Sequence, residues 1–187
     1  MSNRILLVDD ESNVLSALKR ALFDEPLEIF AVSSAEAALA GMQEQLFKVV
    51  VSDERMIGMQ GSEFLAQVRK LYPHTIRIML TGHATLQAAM KAVNEGEIYR
   101  FFSKPWNDQD LKYALRSAIE KYDLEAENRR LLATVRQQSF EIKVLEKRYP
   151  GISRVKKDSR GAFVLEDIPE DEIARLVAEC EREAVGP

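Results

Sequence analysis

Two apolar runs in this chain end on acids. Phe47-Lys48-Val49-Val50-Val51-Ser52 delivers a lone carboxylate, Asp53, and Ile5-Leu6-Leu7-Val8 delivers Asp9 and Asp10. Short runs of this kind read as strands covered on both faces, the pattern of a parallel sheet. Such a sheet sets the carboxyl ends of its strands along one rim, so acids far apart in sequence can meet there. Like charges roughly 4 Å apart repel by about 4 kcal/mol at an effective dielectric near 20, so a trio of carboxylates calls for a cation. Magnesium, which prefers oxygen ligands and keeps several waters, is the expected one.

Short apolar runs alternate with amphipathic stretches up to about residue 120, as an α/β fold requires. The strands expected are Ile5 to Val8, Leu27 to Ala31, Lys48 to Ser52, Arg77 to Leu80 and Ile98 to Phe102. Between them, helical spacing gives four apolar faces: Val14, Leu15, Leu18 and Leu22; Ala37, Ala38, Leu39 and Met42; Phe64, Leu65, Val68 and Leu71; Leu86, Ala89, Met90 and Val93. Asn107, ahead of Asp108 and Asp110, reads as the cap of a fifth helix, with acids where the helix dipole favours them. The fold class expected is a doubly wound, five-stranded parallel sheet occupying residues 1–121.

From Asp108 to Arg148 there is neither proline nor glycine, and Pro150-Gly151 closes the run. A helix of that length spans roughly 60 Å, more than a small domain can cover. Leu124, Asn128, Leu131, Val135, Gln138, Ile142 and Leu145 recur at alternating spacings of four and three, a coiled-coil seam with two polar interruptions. Residues 122–148 are therefore expected to form a dimerising extension, with a helix folded back on its own domain as the other possibility. In 149–187, Ile152 to Val155 and Ala162 to Leu165 read as a short hairpin around Gly161, and Ile173, Leu176, Val177 and Cys180 as one face of a small helix. A tail of this size buries little alone and is expected to pack on the coiled coil or on an output partner.

Composition narrows the function. The chain has 187 residues, 46% of them hydrophobic, enough for one domain with a core and an appendage. No apolar run is long enough to span a bilayer, and the start lacks the long apolar centre of a signal peptide, so a cytoplasmic protein without membrane contact is expected. The single cysteine, Cys180, excludes an internal disulfide framework and reads as an apolar contact. A net charge of −4 gives no general reason to bind nucleic acid, and the basic group Arg154, Lys156, Lys157 and Arg160 reads as a solvated turn. His74 and His83 have no third histidine or cysteine nearby and read as surface positions. Trp106 is expected to pack at the start of the last helix.

Two further strands end on polar residues: Thr81 after Ile78-Met79-Leu80, and Lys104 after Phe101-Phe102-Ser103. A hydroxyl and an ammonium thus join the acids on the rim. Phosphoryl transfer needs an oxygen nucleophile, neutralisation of the phosphoryl charge and donors that fix the product, and Asp53, magnesium, Lys104 and Thr81 would provide these. Any one of these residues alone would be unremarkable as a loop acid, a cap or a surface charge; their joint offsets point to a site. With Val8-Asp9-Asp10-Glu11, Asp53, Thr81-Gly82 and Lys104-Pro105 in this order, the chain over about 1–121 resembles a response regulator receiver domain of a two-component system, a flavodoxin-like fold.

That resemblance implies that Asp53 accepts a phosphoryl group from a sensor histidine kinase or phosphotransfer protein. It implies magnesium bound by Asp10, Asp53 and the backbone carbonyl of Arg55, with Asp9 acting partly through water. Lys104 would pair with the phosphoryl group, Thr81 would swing to bond it, and Phe101 would follow as the switch residue. A cis peptide before Pro105 would aim Lys104 inward. Arg55 and His83 would tune dephosphorylation, and Gly82 would leave room for the donor. The chain departs from the family pattern at Ile57, where many members have proline, which predicts a less rigid loop, and at Phe101, where tyrosine is commoner. The chain is read as a signalling protein and not an enzyme, beyond transfer to its own Asp53 and autodephosphorylation. The alternatives are a dimeric adaptor independent of phosphorylation and the receiver part of a larger regulator. A hydrolase with an aspartyl phosphate intermediate is disfavoured, because Asp9-Asp10-Glu11-Ser12-Asn13 does not fit an Asp-x-Asp-x-Thr motif.

Overall fold

Strands β1 (Arg4–Val8), β2 (Glu28–Val32), β3 (Val49–Asp53), β4 (Ile76–Thr81) and β5 (Arg100–Ser103) pair in parallel in the order β2-β1-β3-β4-β5. Helices α1 (Ser12–Ala21), α2 (Ala35–Glu44), α3 (Gly61–Leu71) and α4 (Asp108–Arg148) accompany them. The computed structural model describes residues 2–82 and 98–149. By contacts the chain divides into two units, Met1–Leu131 and Leu132–Pro187. The second is described only over 132–149, where it is helical up to Arg148.

The doubly wound parallel sheet expected from the sequence is present. The chain starts at β1, moves outward to β2, and returns to the other side of β1 as β3. The winding therefore reverses between β1 and β3, and the crevice at such a switch point lies at the carboxyl ends of these two strands. Side chains alternate across the sheet, as the pleat requires. Leu6, Val8, Val50 and Met79 share one core with Ala38 and Met42 of α2 and Phe64, Leu65 and Val68 of α3. Ile5, Leu7, Val49, Val51, Ile78 and Leu80 share the other with Leu18 and Leu22 and with Leu111, Leu115 and Ala118 of α4. Burying one such side chain fully is worth about 1.5–3 kcal/mol, so two layers of them make the sheet a stiff platform for what its rim carries.

Several element edges differ from the sequence reading. Lys48 lies just before β3, although its backbone still bonds both neighbours, N donating to Arg4 O at 3.0 Å and O accepting from Ile76 N at 2.8 Å; its Nζ, at the opposite end of the sheet from Asp53, donates to Asn3 Oδ1 at 2.8 Å and to Asp123 Oδ1 at 2.6 Å. Asp53 belongs to β3 because its backbone still pairs with Leu80. β2 is displaced by one residue, with Glu28 opposite Arg4, and β5 starts at Arg100, the first residue with a partner, Ile78. On α2 the buried face is Ala35, Ala38 and Met42, and Ala37 is exposed; the start is set by the Ser34 hydroxyl, which accepts from Ala37 N at 3.2 Å. Leu71 is exposed at the last turn of α3. The expected face of Leu86, Ala89, Met90 and Val93, together with His83, the hairpin and the tail helix with Cys180, lies outside the described residues.

The long last helix begins as expected. Asn107 Oδ1 accepts from Gln109 N at 2.8 Å and from Asp110 N at 3.2 Å, satisfying donors that the helix leaves open. Trp106 packs against the α4-side core, and its Nε1 donates to Asp108 Oδ1 at 3.1 Å. Burial along α4 ends at Ile119. Ion pairs reinforce this stretch, Lys112 with Asp24 and Arg116 with Glu25, each at 2.6 Å. Among the described residues, no helix is long and apolar enough to cross a membrane.

Candidate functional site

The rim at the switch point carries a charged cluster built from three strand ends. Asp9 follows β1 and is fully buried; Asp53 ends β3 and is nearly so. Lys104 follows β5 and reaches both, with Nζ 2.8 Å from Asp9 Oδ2 and 2.7 Å from Asp53 Oδ1. Its backbone N–H donates to Thr81 O at 2.8 Å, tying this segment to β4. The Lys104–Pro105 peptide is cis. Each carboxylate has a second donor: Glu11 N to Asp9 Oδ1 at 2.9 Å, and Arg55 N to Asp53 Oδ2 at 2.8 Å.

Two opposed effects act on these charges. Burial raises the Asp9 carboxyl above the usual aspartate range, against the hydrogen bond from Lys104, which lowers it. Burial also disfavours the Lys104 ammonium, but its bonds to Asp53 and Asp9 outweigh this and hold it above the ordinary lysine range. The amine therefore stays charged between two acids. Glu11 Oε1 lies farther off, 3.8 Å from Nζ, and is largely exposed.

Asp10 stands apart from this bridge. It is half-buried, and its Oδ2 accepts from Ile57 N at 2.9 Å, across the gap between the β1 and β3 loops. The loop after β3 is itself anchored. Gly61 N donates to Glu54 O at 2.9 Å, and the buried Glu54 carboxylate accepts from Ser62 N at 2.8 Å and Ser62 Oγ at 3.0 Å, capping α3. Gly58 takes a positive φ of 87°, which glycine adopts freely. Sequence reasoning missed what Glu54, Glu11 and Ile57 do: Glu11 figured only in the acidic motif, Ile57 only as a departure from proline, and Glu54, eight positions before Ser62, was not singled out.

The other expected residues fall on the same rim or beside it. Thr81 is buried at the end of β4, next to β3 in the sheet, and its Oγ donates to Gly82 O at 3.0 Å. Phe101 lies on β5, partly buried against the core shared with α2 and α3. Arg55 is fixed through its N–H. His74 is exposed, as expected. Leu124, Asn128, Leu131, Val135, Gln138, Ile142 and Leu145 are all exposed on α4, the five apolar ones by 47–65%.

Among the described residues, no three His, Cys, Asp or Glu side chains form a ready-made metal group. Lys104 bridges Asp9 and Asp53, while Asp10 is bonded to the loop. Magnesium does not need an enclosed cage. It takes one or two carboxylates and retains waters, and the all-oxygen donors here fit that demand.

The family model for the response regulator receiver domain matches residues 5–116. The chain belongs to this family. It is 38% identical over 127 residues to the hydrogenase transcriptional regulatory protein HoxA of Cupriavidus necator, covering 68% of this chain and 26% of that protein. To the alginate biosynthesis transcriptional regulatory protein AlgB of Pseudomonas aeruginosa it is 32% identical, over 84% of this chain and 34% of the relative. The chain thus spans between a quarter and about a third of these regulators. Among solved structures, one described as adenylate cyclase from Rhodopirellula baltica is 41% identical with a TM-score of 0.67, covering 71% of this chain and 98% of that one. The signal receiver domain of an HD domain-containing protein from Pseudomonas fluorescens is 40% identical, with a TM-score of 0.64 over 67% of this chain and 93% of its own. Receiver domains of two-component response regulators are typically regulators and not enzymes, and they generally bind Mg2+ at the phosphorylation site.

Proposed function

We propose that this receiver domain is phosphorylated on Asp53 by a sensor histidine kinase or phosphotransfer protein and passes the signal through α4. The observation that carries the reading is the Lys104 ammonium held between Asp9 and Asp53 on a rigid strand rim. A carboxylate oxygen of Asp53 attacks the phosphorus of a phosphohistidine. The phosphorus–nitrogen bond breaks, and its electron pair returns to the donor's imidazole. Lys104 is already in place to bond a phosphoryl oxygen, and Thr81, on the adjacent strand, would donate its hydroxyl to another. Asp10, Asp53 and the Arg55 carbonyl would hold magnesium, with Asp9 acting partly through water; the ion would offset charge on the transferring group.

The acyl phosphate adds roughly −1.5 to −2 charges at the end of β3. Drawing Lys104 and Thr81 toward it gives Phe101, on β5 opposite Met79, a reason to repack. The Lys104 segment leads through Pro105 into α4, so the change would arrive at the root of that helix. The exposed heptad positions from Leu124 to Leu145 support a homodimer whose geometry the switch biases, with an output protein or the 149–187 tail as recipient. Phosphorylation biases it only as far as the two arrangements differ in affinity for the phosphoryl group. Asp53→Asn should abolish labelling by a radiolabelled small phosphodonor with magnesium; undiminished labelling of that variant refutes the assignment.

A further inference from the structure

We infer that Ile57 is a positioning residue for the cation site, acting through its backbone N–H on Asp10; this rests on the magnesium reading above. Lys104 bonds Asp9 and Asp53, so Asp10 is the acid of the trio whose carboxylate is oriented by the loop and not by the ammonium. The donor that orients it is Ile57 N, at 2.9 Å from Oδ2. The Ile57 side chain itself is 86% exposed and contributes no packing, so the amide is what this position supplies. That amide is held in its aim from both sides. Before it, Arg55 N is bonded to Asp53 Oδ2; after it, Gly61 N is bonded to Glu54 O and α3 is capped by Glu54.

A proline, which the family pattern commonly has at this position, carries no N–H and cannot make this bond. The departure from the pattern therefore does not simply loosen the loop, as the sequence alone suggested; it adds a crosslink between the β1 and β3 loops. A hydrogen bond to one oxygen of a carboxylate leaves the remaining lone pairs for a cation and fixes the direction in which they point. Donors of this type that orient metal ligands typically change affinity by 10–100-fold when removed. Because the donor is a main-chain group of a loop tied at both ends, it orients Asp10 without freezing a flexible side chain.

The test is calorimetric titration of Mg2+ into the full chain and three variants. Ile57→Pro removes the N–H, Ile57→Ala keeps it and removes the side chain, and an ester replacing the Met56–Ile57 amide removes the N–H with the side chain retained. Ile57→Pro and the ester should each weaken Mg2+ by about tenfold, while Ile57→Ala binds as the parent does. The ester decides the matter should the proline variant fail to fold. Parent-like or tighter binding by the ester overturns the inference, as does equal weakening by Ile57→Ala. A parent chain that takes up no Mg2+ removes the magnesium reading itself, and with it the role given to Ile57.

Discussion

A methyl group at Gly61 would sit 2.0 Å from the carbonyl oxygen of Asp53, a backbone atom that no rotamer change can move aside. Gly61→Ala should therefore destabilise the fold by about 1–3 kcal/mol, the usual cost of overpacking, and slow acquisition of label because the displaced atoms belong to the acceptor residue. A urea midpoint equal to that of the parent contradicts this. Glu25 shows the pH dependence expected of a single residue. The hydrogen bond from Arg116 holds its carboxyl below the ordinary glutamate value of 4.5, against burial, so ionised Glu25 favours the folded state. This contribution is present above pH 4.5 and is lost as the pH falls through the lower folded value. Glu25→Gln should lower the urea midpoint at neutral pH and flatten the loss of stability on acidification below 4.5; identical pH profiles count against it. At this scale the site was legible where chemistry resides in side chains at strand ends, as for Asp9, Asp53 and Lys104. It was hidden where the donor is main chain, as at Ile57, and where the acid and the helix it caps are eight positions apart, as for Glu54 and Ser62.

Among the elements, α4 was the most readable. Its cap at Asn107, its acidic first turn and its unbroken length all stand in the sequence, whereas its buried face, Leu111, Ala114, Leu115, Ala118 and Ile119, was not singled out there. Edges were less legible, because they depend on pairing partners: β5 begins where Ile78 supplies one, and β3 begins at Val49, opposite Ile5 and Ile76. Ala37 and Leu71 were misplaced because alanine and a terminal leucine carry little periodic signal. Beyond Ile119 large apolar residues of α4 are about half exposed both on the expected seam, such as Leu131 and Val135, and off it, such as Leu132, Phe140 and Val144, so the seam is a matter for experiment. Leu131→Asp with Val135→Asp should convert a dimer in sedimentation velocity to a monomer and leave β1 to β5 folded by circular dichroism. A parent chain that sediments as a monomer at high concentration contradicts the seam.

For the molecule as a whole, the order β2-β1-β3-β4-β5 decides where chemistry can occur, since the reversal between β1 and β3 opens the crevice that Asp9, Asp10 and Asp53 flank. A cation bound there in the folded state alone should stabilise it by mass action, about 2.7 kcal/mol at a hundredfold excess over the dissociation constant. The thermal midpoint should rise with magnesium in the parent and hardly at all in Asp10→Asn; an equal rise in both moves the binding elsewhere. The central claim, a phosphoryl group accepted by the acid at the end of β3, is tested most directly by trapping the acyl phosphate. After incubation with a small phosphodonor and magnesium, borohydride reduction and peptide mapping should find homoserine at position 53 and at no other aspartate. Reduction product at another residue, or none from a folded chain that has bound magnesium, contradicts it.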